Sequence, residues 1–383
     1  MNAQERPIVA VLAVSDLEFG GAQRQIVELV NNMDPAVCEL HVCSLSDYVP
    51  LAKAMRLGAG RLNFVLRRFR FDFTVVPRLA RLLKKVKADV VHSYLFDATI
   101  AARLASLLAR RTAVIGSERN TDYKFKRSDF LALKATQRWN DLTIANSRAG
   151  ANFNSRVFHE PLSRYCVVHN GVDVTRFDRR DPARIRQELG LAPDQPVIGM
   201  FASFKPQKNH PVWLAAARQV IQRVPNAKLM FVGDELYKGG SDSIEFKKSI
   251  NQTVDDLGLR DHCLFLGNRL DVEDCYNACT LTVLPSLYEG TPNVVLESMA
   301  CAVPIVASNV SDNAYIVRDG ETGFVVPVNE EVTLADRVCR ILLDPALRRR
   351  LADEARSWVV REFSCRRLAE KTVDAYRKAL ITN

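Results

Sequence analysis

Short, unbroken apolar runs recur along this chain, each followed by a helix-periodic stretch. Residues 8–15 (IVAVLAVS) are the first of them. A run apolar at every position suits a strand buried on both faces, as in a parallel sheet covered by helices on both sides. Further strands are expected at 38–45, 62–66, 89–94, 112–117, 142–146 and 165–169, with helical patterns at 23–33, 49–57, 73–86, 97–109 and from Arg148 onward. A second series has strands at 197–202, 228–232, 263–266, 281–284, 304–307 and 324–326, with helices at 211–224 and 241–257. The pattern predicts two doubly wound α/β halves. A chain of 383 residues also exceeds what one core usually holds.

Residues 177–196 are polar and hold Pro182, Pro193 and Pro196. They read as a linker, placed at 179–195, between a first domain at 1–178 and a second at 196–365. Helices close the chain at 331–343, 345–362 and 366–380. The last is amphipathic with no strand after it, so it is free to pack on the first half.

Ligands of open α/β sheets bind at the carboxyl ends of the strands. Asp16, His92, Ser93, Glu118, Asn146, Ser147, His169 and Asn170 fall there. His92 is either a catalytic or ligand-contacting group or a core histidine at a strand end. Gly20 and Gly21 sit between a strand and a helix start, which suits a nucleotide-type site or simply a tight turn.

Residues 281–308 form a strand–loop–helix–strand unit with two acids. The loop carries Glu289 and Gly290, and Thr291 with Pro292 reads as N-cap and first helical residue, followed by Asn293. Glu297 lies in an apolar run, where a carboxylate is costly without a partner. It is roughly 7–8 Å along the helix axis from Pro292. Two acids at that spacing suit the hydroxyls at either end of a ligand whose anionic middle rests on the helix start. They equally suit a cap and a buried ion pair. In the same half, Lys205 and Lys208 bracket Pro206-Gln207 in the loop after the first strand, and Asn209 is a fitting N-cap. Lysines beside a helix N-terminus make a diphosphate clamp or a solvated loop.

The nine cysteines are scattered without a CxxC pair, which points to free buried thiols and no zinc site. No run reaches the ~18–20 apolar residues of a membrane span, and the N-terminus lacks a signal peptide's order of regions. A cytoplasmic chain is therefore expected. The net charge of +9 is concentrated between Lys53 and Lys87, where basic residues alternate with Phe64, Phe69, Phe71 and Phe73. That mixture suits an anionic bilayer surface, or a solvated helix face over core phenylalanines. No nucleic-acid module is present, so no nucleic-acid partner is expected.

Together these segments resemble the family 4 retaining glycosyltransferases of the two-Rossmann-domain (GT-B) type. Glu289 and Glu297 match the family's E-x7-E signature within PSLYEGTPNVVLESMA. FGGAQRQIVELV, DVVHSY, SERN, ANS, HNGVD, PQKNH, VGD and DGETGFVVP follow in the family's order. The resemblance implies two domains facing across a cleft, with the C-terminal helix crossing back to the first domain. It implies a hexosyl- or N-acetylhexosaminyltransferase taking a nucleotide-diphosphate sugar, expected as a UDP-sugar, and no metal. Glu297 would bind the ribose and Glu289 the transferred sugar, with Gly290, Thr291, Pro292 and Asn293 lining the pocket. Lys208 would bind the diphosphate, approached by Gly20 and Gly21, and Asn268-Arg269 would meet the base. Glu289, Lys208 and His92 are the expected catalytic set. The acceptor would be a glycan or polyprenyl-linked sugar of cell-surface polysaccharide or glycolipid synthesis, reached from the inner membrane face through residues 53–87. A nucleotide-sugar 2-epimerase and a silent sugar-nucleotide-binding protein share the fold and remain alternatives. Three positions depart from the family. Ser203 stands where many members have Arg, so either Lys205 would compensate or the phosphate clamp would be weaker. Tyr94 replaces the second His of His-x-His, and Ala302 replaces a Gly.

Overall fold

The computed structural model describes residues 6–18, 20–69, 72–109, 112–119, 126–234 and 240–382, with 240–242 and 382 described in backbone only. Phe19, Phe71 and Asn120, named above, and Arg70 of the basic segment lie outside the described residues. The chain divides into Met1–Gly171 with Cys365–Asn383, and Val172–Ser364.

The first unit is built on one parallel sheet of seven strands. These are β1 (Ile8–Val14), β2 (Cys38–Ser44), β3 (Leu62–Phe64), β4 (Val90–Tyr94), β5 (Ala113–Glu118), β6 (Leu142–Ala145) and β7 (Tyr165–Val167), in the order β3-β2-β1-β4-β5-β6-β7. β1 is an interior strand between β2 and β4, with Ala10 opposite Val90 and Val14 opposite Tyr94. Its unbroken apolar sequence follows from having a core on each face. One face packs Leu12, Ile26, Leu40 and Tyr376, and the other Val11, Leu79, Val91 and Ala102.

The helix Cys365–Thr382 belongs to this unit and packs on Gly21–Asn32, as the resemblance implies. A side chain at Gly171 would meet the Cα of Cys365 at 2.9 Å, so the chain can leave and re-enter the unit at this point only with glycine there. Buried Gln25 fixes the same spot: its Nε2 donates to Gly171 O (2.9 Å) and its Oε1 accepts from Gly171 N (2.7 Å).

The second unit carries a six-stranded parallel sheet: β8 (Val197–Phe201), β9 (Lys228–Val232), β10 (Cys263–Phe265), β11 (Leu281–Leu284), β12 (Ile305–Ser308) and β13 (Phe324–Val326). The order is β10-β9-β8-β11-β12-β13, again with a core on each face. Consecutive strands run outward to one edge and then restart beside β8, so the winding reverses between β8 and β11.

Several expectations are corrected. Residues 179–195 are no linker, and the first unit ends at Gly171, short of 178. Phe177 and Leu191 join the second unit's core, and Arg186 donates to Ala278 O at 2.7 Å. The proline content marks a short helix, Ala183–Glu188, packed on its own domain. The stretch 49–57 forms only a 3-10 turn, Pro50–Ala54. The helices Arg127–Thr136 and Val272–Ala278 were not anticipated. All nine cysteines are free.

Candidate active site

The loops after β8 and β11 are neighbours because these strands pair, with Leu281 opposite Ile198. They flank the point where the winding of the second unit reverses. At such a point two βα loops diverge and leave a crevice for a ligand.

Three consecutive residues stitch the loops together. Gln207 O accepts from Leu287 N (2.9 Å), and its Nε2 donates to Tyr288 O (2.7 Å). Lys208 Nζ donates to Glu289 Oε1 at 2.5 Å. Asn209 Nδ2 donates to Pro285 O (3.1 Å) and Asn329 Oδ1 (2.9 Å). Asn209 is therefore no side-chain cap. It has a left-handed φ of 56°, which Asn tolerates, and spends its amide on cross-loop bonds. The side chains of Lys208 and Glu289 are 13% and 8% exposed. Lys205 lies close by, and burial first, then the charge of Lys208, lower its pKa. Ser203 is half-buried in the same loop.

After β11 the chain runs through buried Gly290, Thr291 and Pro292 into the helix Asn293–Ala300. Pro292 is the N-cap residue, with extended backbone, one position later than the sequence suggested. Val295, Leu296, Met299 and Ala300 are buried, and this explains the apolar run around Glu297. Glu297 has the partner that burial demands: the Tyr276 hydroxyl donates to its Oε2 at 2.9 Å. Tyr276 comes from the unanticipated helix Val272–Ala278 and stacks on Phe201 at 3.7 Å. Asp271 at its N-cap and Glu273 and Asp274 in its first turn are the sequence signals that would have found it.

Beside the loop after β8 lies Gly233, at the end of β9. Its φ of 130° is open to glycine, and an added Cβ would lie 2.3 Å from Ala202 O. Its N–H donates to Gly267 O at 2.8 Å, which fixes the turn before Asn268. Asn268 is exposed. The Arg269 guanidinium is held in an ion-pair cluster. It pairs with Asp271 (2.7 Å) and Glu188 (2.9 Å), and those bonds raise its pKa.

The remaining expected residues lie in the first unit. Gly20 and Gly21 open the helix Gly21–Asn32, next to the loop held by Asp16, which accepts from Gln23 Nε2 at 3.1 Å. Gly20 has extended backbone at φ −157°, so its conformation alone does not demand glycine. His92 is 1% exposed with both ring nitrogens engaged, Nδ1 with the Tyr376 hydroxyl (2.9 Å) and Nε2 with Ser117 Oγ (2.7 Å). Burial, then the charge of Arg119, pushes its pKa well down. Of its two readings, the core histidine is the one with a geometric basis. Tyr94 is buried too, 4.4 Å from the His92 ring and under the Arg119 guanidinium at 4.9 Å.

Comparison with known proteins agrees with this geometry. Residues 19–176 match the family described as Glycosyltransferase Family 4, and residues 181–358 match Glycosyl transferases group 1. A D-inositol 3-phosphate glycosyltransferase of Saccharomonospora viridis is 30% identical over 63% of this chain and 56% of its own length. The chain thus spans little more than half of that relative. The N-acetyl-alpha-D-glucosaminyl L-malate synthase of Bacillus anthracis is 25% identical over 80% of this chain and 78% of its own. The UDP-Gal:alpha-D-GlcNAc-diphosphoundecaprenol alpha-1,3-galactosyltransferase of Escherichia coli is 26% identical over 80% and 79%. Among solved structures, Anabaena HepE in complex with UDP superposes with a TM-score of 0.83 at 20% identity, covering 97% of this chain and 100% of that one. The sucrose-phosphate synthase of Thermosynechococcus elongatus gives 0.77 at 22% identity, over 99% and 100%. With two parallel-sheet domains, a crossing-back helix and both halves matched in sequence, the chain belongs to the family 4 glycosyltransferases of the GT-B fold.

Proposed function

We propose that the second unit binds a nucleotide-diphosphate sugar at the β8/β11 reversal and that the protein transfers its sugar, with retention, to a glycan or lipid-linked acceptor. The observation that carries this reading is the Lys208–Glu289 pair where the two loops meet. A lysine there, with Lys205 beside it and the Asn293–Ala300 helix start nearby, offers the positive charge a leaving diphosphate needs. That supply makes a metal-independent reaction the natural form of the chemistry.

Both carboxylates are already engaged, Glu289 by Lys208 and Glu297 by Tyr276. This suits groups that grip hydroxyls, as distinct from the free acid–base pair of a retaining hydrolase. Glu297 would then take the ribose and Glu289 the transferred sugar, and the donor phosphate would accept the acceptor's proton. The UDP bound by HepE and the UDP-galactose named for the Escherichia coli relative support a UDP-sugar as donor.

The basic segment supports a peripheral association with an anionic membrane. Arg67, Arg68, Arg81, Lys84 and Lys85 are exposed, and so are Phe64, Phe69 and Phe73. Among the described residues no helix is long and apolar enough to cross a membrane.

A panel of nucleotide sugars tests the function. Slow release of nucleoside diphosphate, accelerated by an acceptor and giving an anomer of unchanged configuration, is the expected result. Interconversion of the nucleotide sugar without release would indicate a 2-epimerase, and binding without turnover a silent protein.

A further inference from the structure

Tyr276, whose hydroxyl donates to Glu297, sits on a helix of only seven residues, Val272–Ala278. A helix that short does not hold itself in water, so its position is set by what packs on it. One neighbour is β8, through the Phe201 stack. The other is the stretch 176–188 of the same unit, whose prolines and charges suggest a connector.

This stretch is anchored to the domain and grips the short helix along its length. Ile185 is buried, and Arg186 Nη1 donates to Ala278 O (2.7 Å) at the helix's last residue. Phe177, also buried, meets the Tyr276 ring in a T-shaped contact, with centroids 6.0 Å apart and planes at 74°. Tyr276 thus packs against two phenyl rings, one stacked and one perpendicular, and the pair fixes its ring in two directions. Asn277 bonds the backbone of the stretch both ways: its Nδ2 donates to Asp178 O (2.9 Å) and its Oδ1 accepts from Arg180 N (2.8 Å).

Arginines of the stretch meet the acidic first turn of the helix. Arg176 donates to Glu273 (3.0 Å), Arg180 to Asp274 (3.2 Å), and Arg184 to Asp274 as well. Such partly exposed pairs are weak singly, but these share carboxylates, and Arg176 also lies over the Phe177 ring at 5.0 Å. At the far end of the stretch, Glu188 pairs with Arg269, which in turn holds Asp271 at the helix N-cap. The Tyr276–Glu297 bond depends on this placement. It is 2.9 Å long, and a helix shift of roughly 1 Å would take it out of hydrogen-bond range.

We propose that residues 176–188 are a positioning strap for the donor site: Phe177, Arg180 and Arg184 hold Tyr276 in place against Glu297, so that loosening the strap lowers donor affinity. The proposal rests on the reading that Glu297 meets the donor.

Two measurements on the full-length protein test it. The variants are Phe177→Leu, Arg180→Gln with Arg184→Gln, and Arg180→Lys with Arg184→Lys. The side chains of Arg180 and Arg184 are 40% and 67% exposed, so the glutamine pair keeps the test open should Phe177→Leu fail to fold. In the ligand-free protein, Phe177→Leu and the glutamine pair should speed amide hydrogen exchange at 272–278 about tenfold and leave the helix Glu331–Leu343 unchanged. Equilibrium binding of UDP, ADP and GDP to the unaltered protein identifies the nucleotide held most tightly. The same two variants should bind it about three- to tenfold more weakly, and the lysine pair should restore most of the affinity. In a Tyr276→Phe background the glutamine pair should cost nothing further, because the strap acts through that hydroxyl. Unchanged exchange at 272–278, unchanged nucleotide affinity, or an equal loss in the Tyr276→Phe background would each overturn the strap and leave the donor reading standing. Failure of the unaltered protein to bind any of the three nucleotides would overturn the donor reading, and the proposal with it.

Discussion

Lys208 Nζ lies 2.5 Å from Glu289 Oε1, joining the loop after β8 to the loop after β11. Both side chains are largely buried, so removing one leaves a charge without its counterion in a poorly solvated place. Lys208→Ala and Glu289→Ala should each lower unfolding stability, by on the order of 1–3 kcal/mol after allowing for residual exposure. The double variant should lose clearly less than the sum. Urea denaturation of the three proteins measures this, and additive losses would show that the pair does not couple the loops. Transfer should fall sharply in both single variants.

Tyr276 and Glu297 make a second prediction. The hydroxyl at 2.9 Å orients one carboxylate oxygen, and the Phe201 stack fixes the ring. Glu297→Ala should weaken donor binding, whereas Glu289→Ala should mainly slow transfer. Tyr276→Phe keeps the ring and frees the carboxylate to turn. It should raise KM for the donor several-fold with a smaller change in kcat. Unchanged donor affinity in Glu297→Ala would sink the ribose assignment, whatever Tyr276→Phe does.

The alternation of apolar runs and helical patterns was enough to read two doubly wound halves, because strands buried on both faces leave no polar positions to confuse the pattern. The pairing of Glu289 and Lys208 was not legible. Their residue types and separate loops were visible, but which loops meet depends on β8 lying beside β11. Tyr276 was missed for a related reason: Val272–Ala278 is only two turns long, and its value comes from a contact 21 residues away. His92 sat at the correct strand end, yet its surroundings are set by Tyr376 on a helix 284 residues on. The apparent linker misled because its prolines and charges resemble a connector. Its buried Ile185 and the carbonyl bonds of Arg186 are what hold it to the domain.

Ala302 illustrates a departure whose consequence is conformational. It follows the helix Asn293–Ala300 by two residues with a φ of 56°, the left-handed position where helices commonly end in glycine. Holding an alanine there costs about 1–2 kcal/mol, partly offset by the flexibility a glycine would add to the unfolded chain. Ala302→Gly should therefore raise stability by about 0.5 kcal/mol or more without altering donor affinity. A lower thermal midpoint would show that the lost methyl packing outweighs the relieved strain.

Membrane association depends on charges that are free to approach a surface. Arg68, Arg81, Lys84 and Lys85 are exposed, whereas Arg67 is paired with Asp97 at 2.5 Å and is the poorer choice for neutralisation. At about 1 kcal/mol per basic side chain near an anionic bilayer, replacing these four with Gln should weaken vesicle binding by roughly a hundredfold or more. Vesicle sedimentation at rising salt measures it. The natural sequence should release as salt rises, and indifference to lipid charge would remove the membrane from the proposal.

His210 gives the pH dependence. It begins the helix His210–Arg223 and stacks on Phe204 at 4.7 Å, buried, with Nδ1 lacking a partner among the described residues. Burial first, and the charge of Lys208 second, lower its pKa to about 4. The folded state thus keeps the ring neutral, while the unfolded chain takes up a proton below about pH 6.5. Protons bind preferentially to the unfolded state between these values, so stability falls as pH drops from about 6.5 to about 4 and levels off below. The total effect is on the order of 3 kcal/mol. His210→Phe preserves the stack and removes the titration, so its urea midpoint should fall less steeply over that interval than that of the unaltered protein. Parallel pH profiles for the two would mean that the folded state protonates His210 as readily as the unfolded chain does.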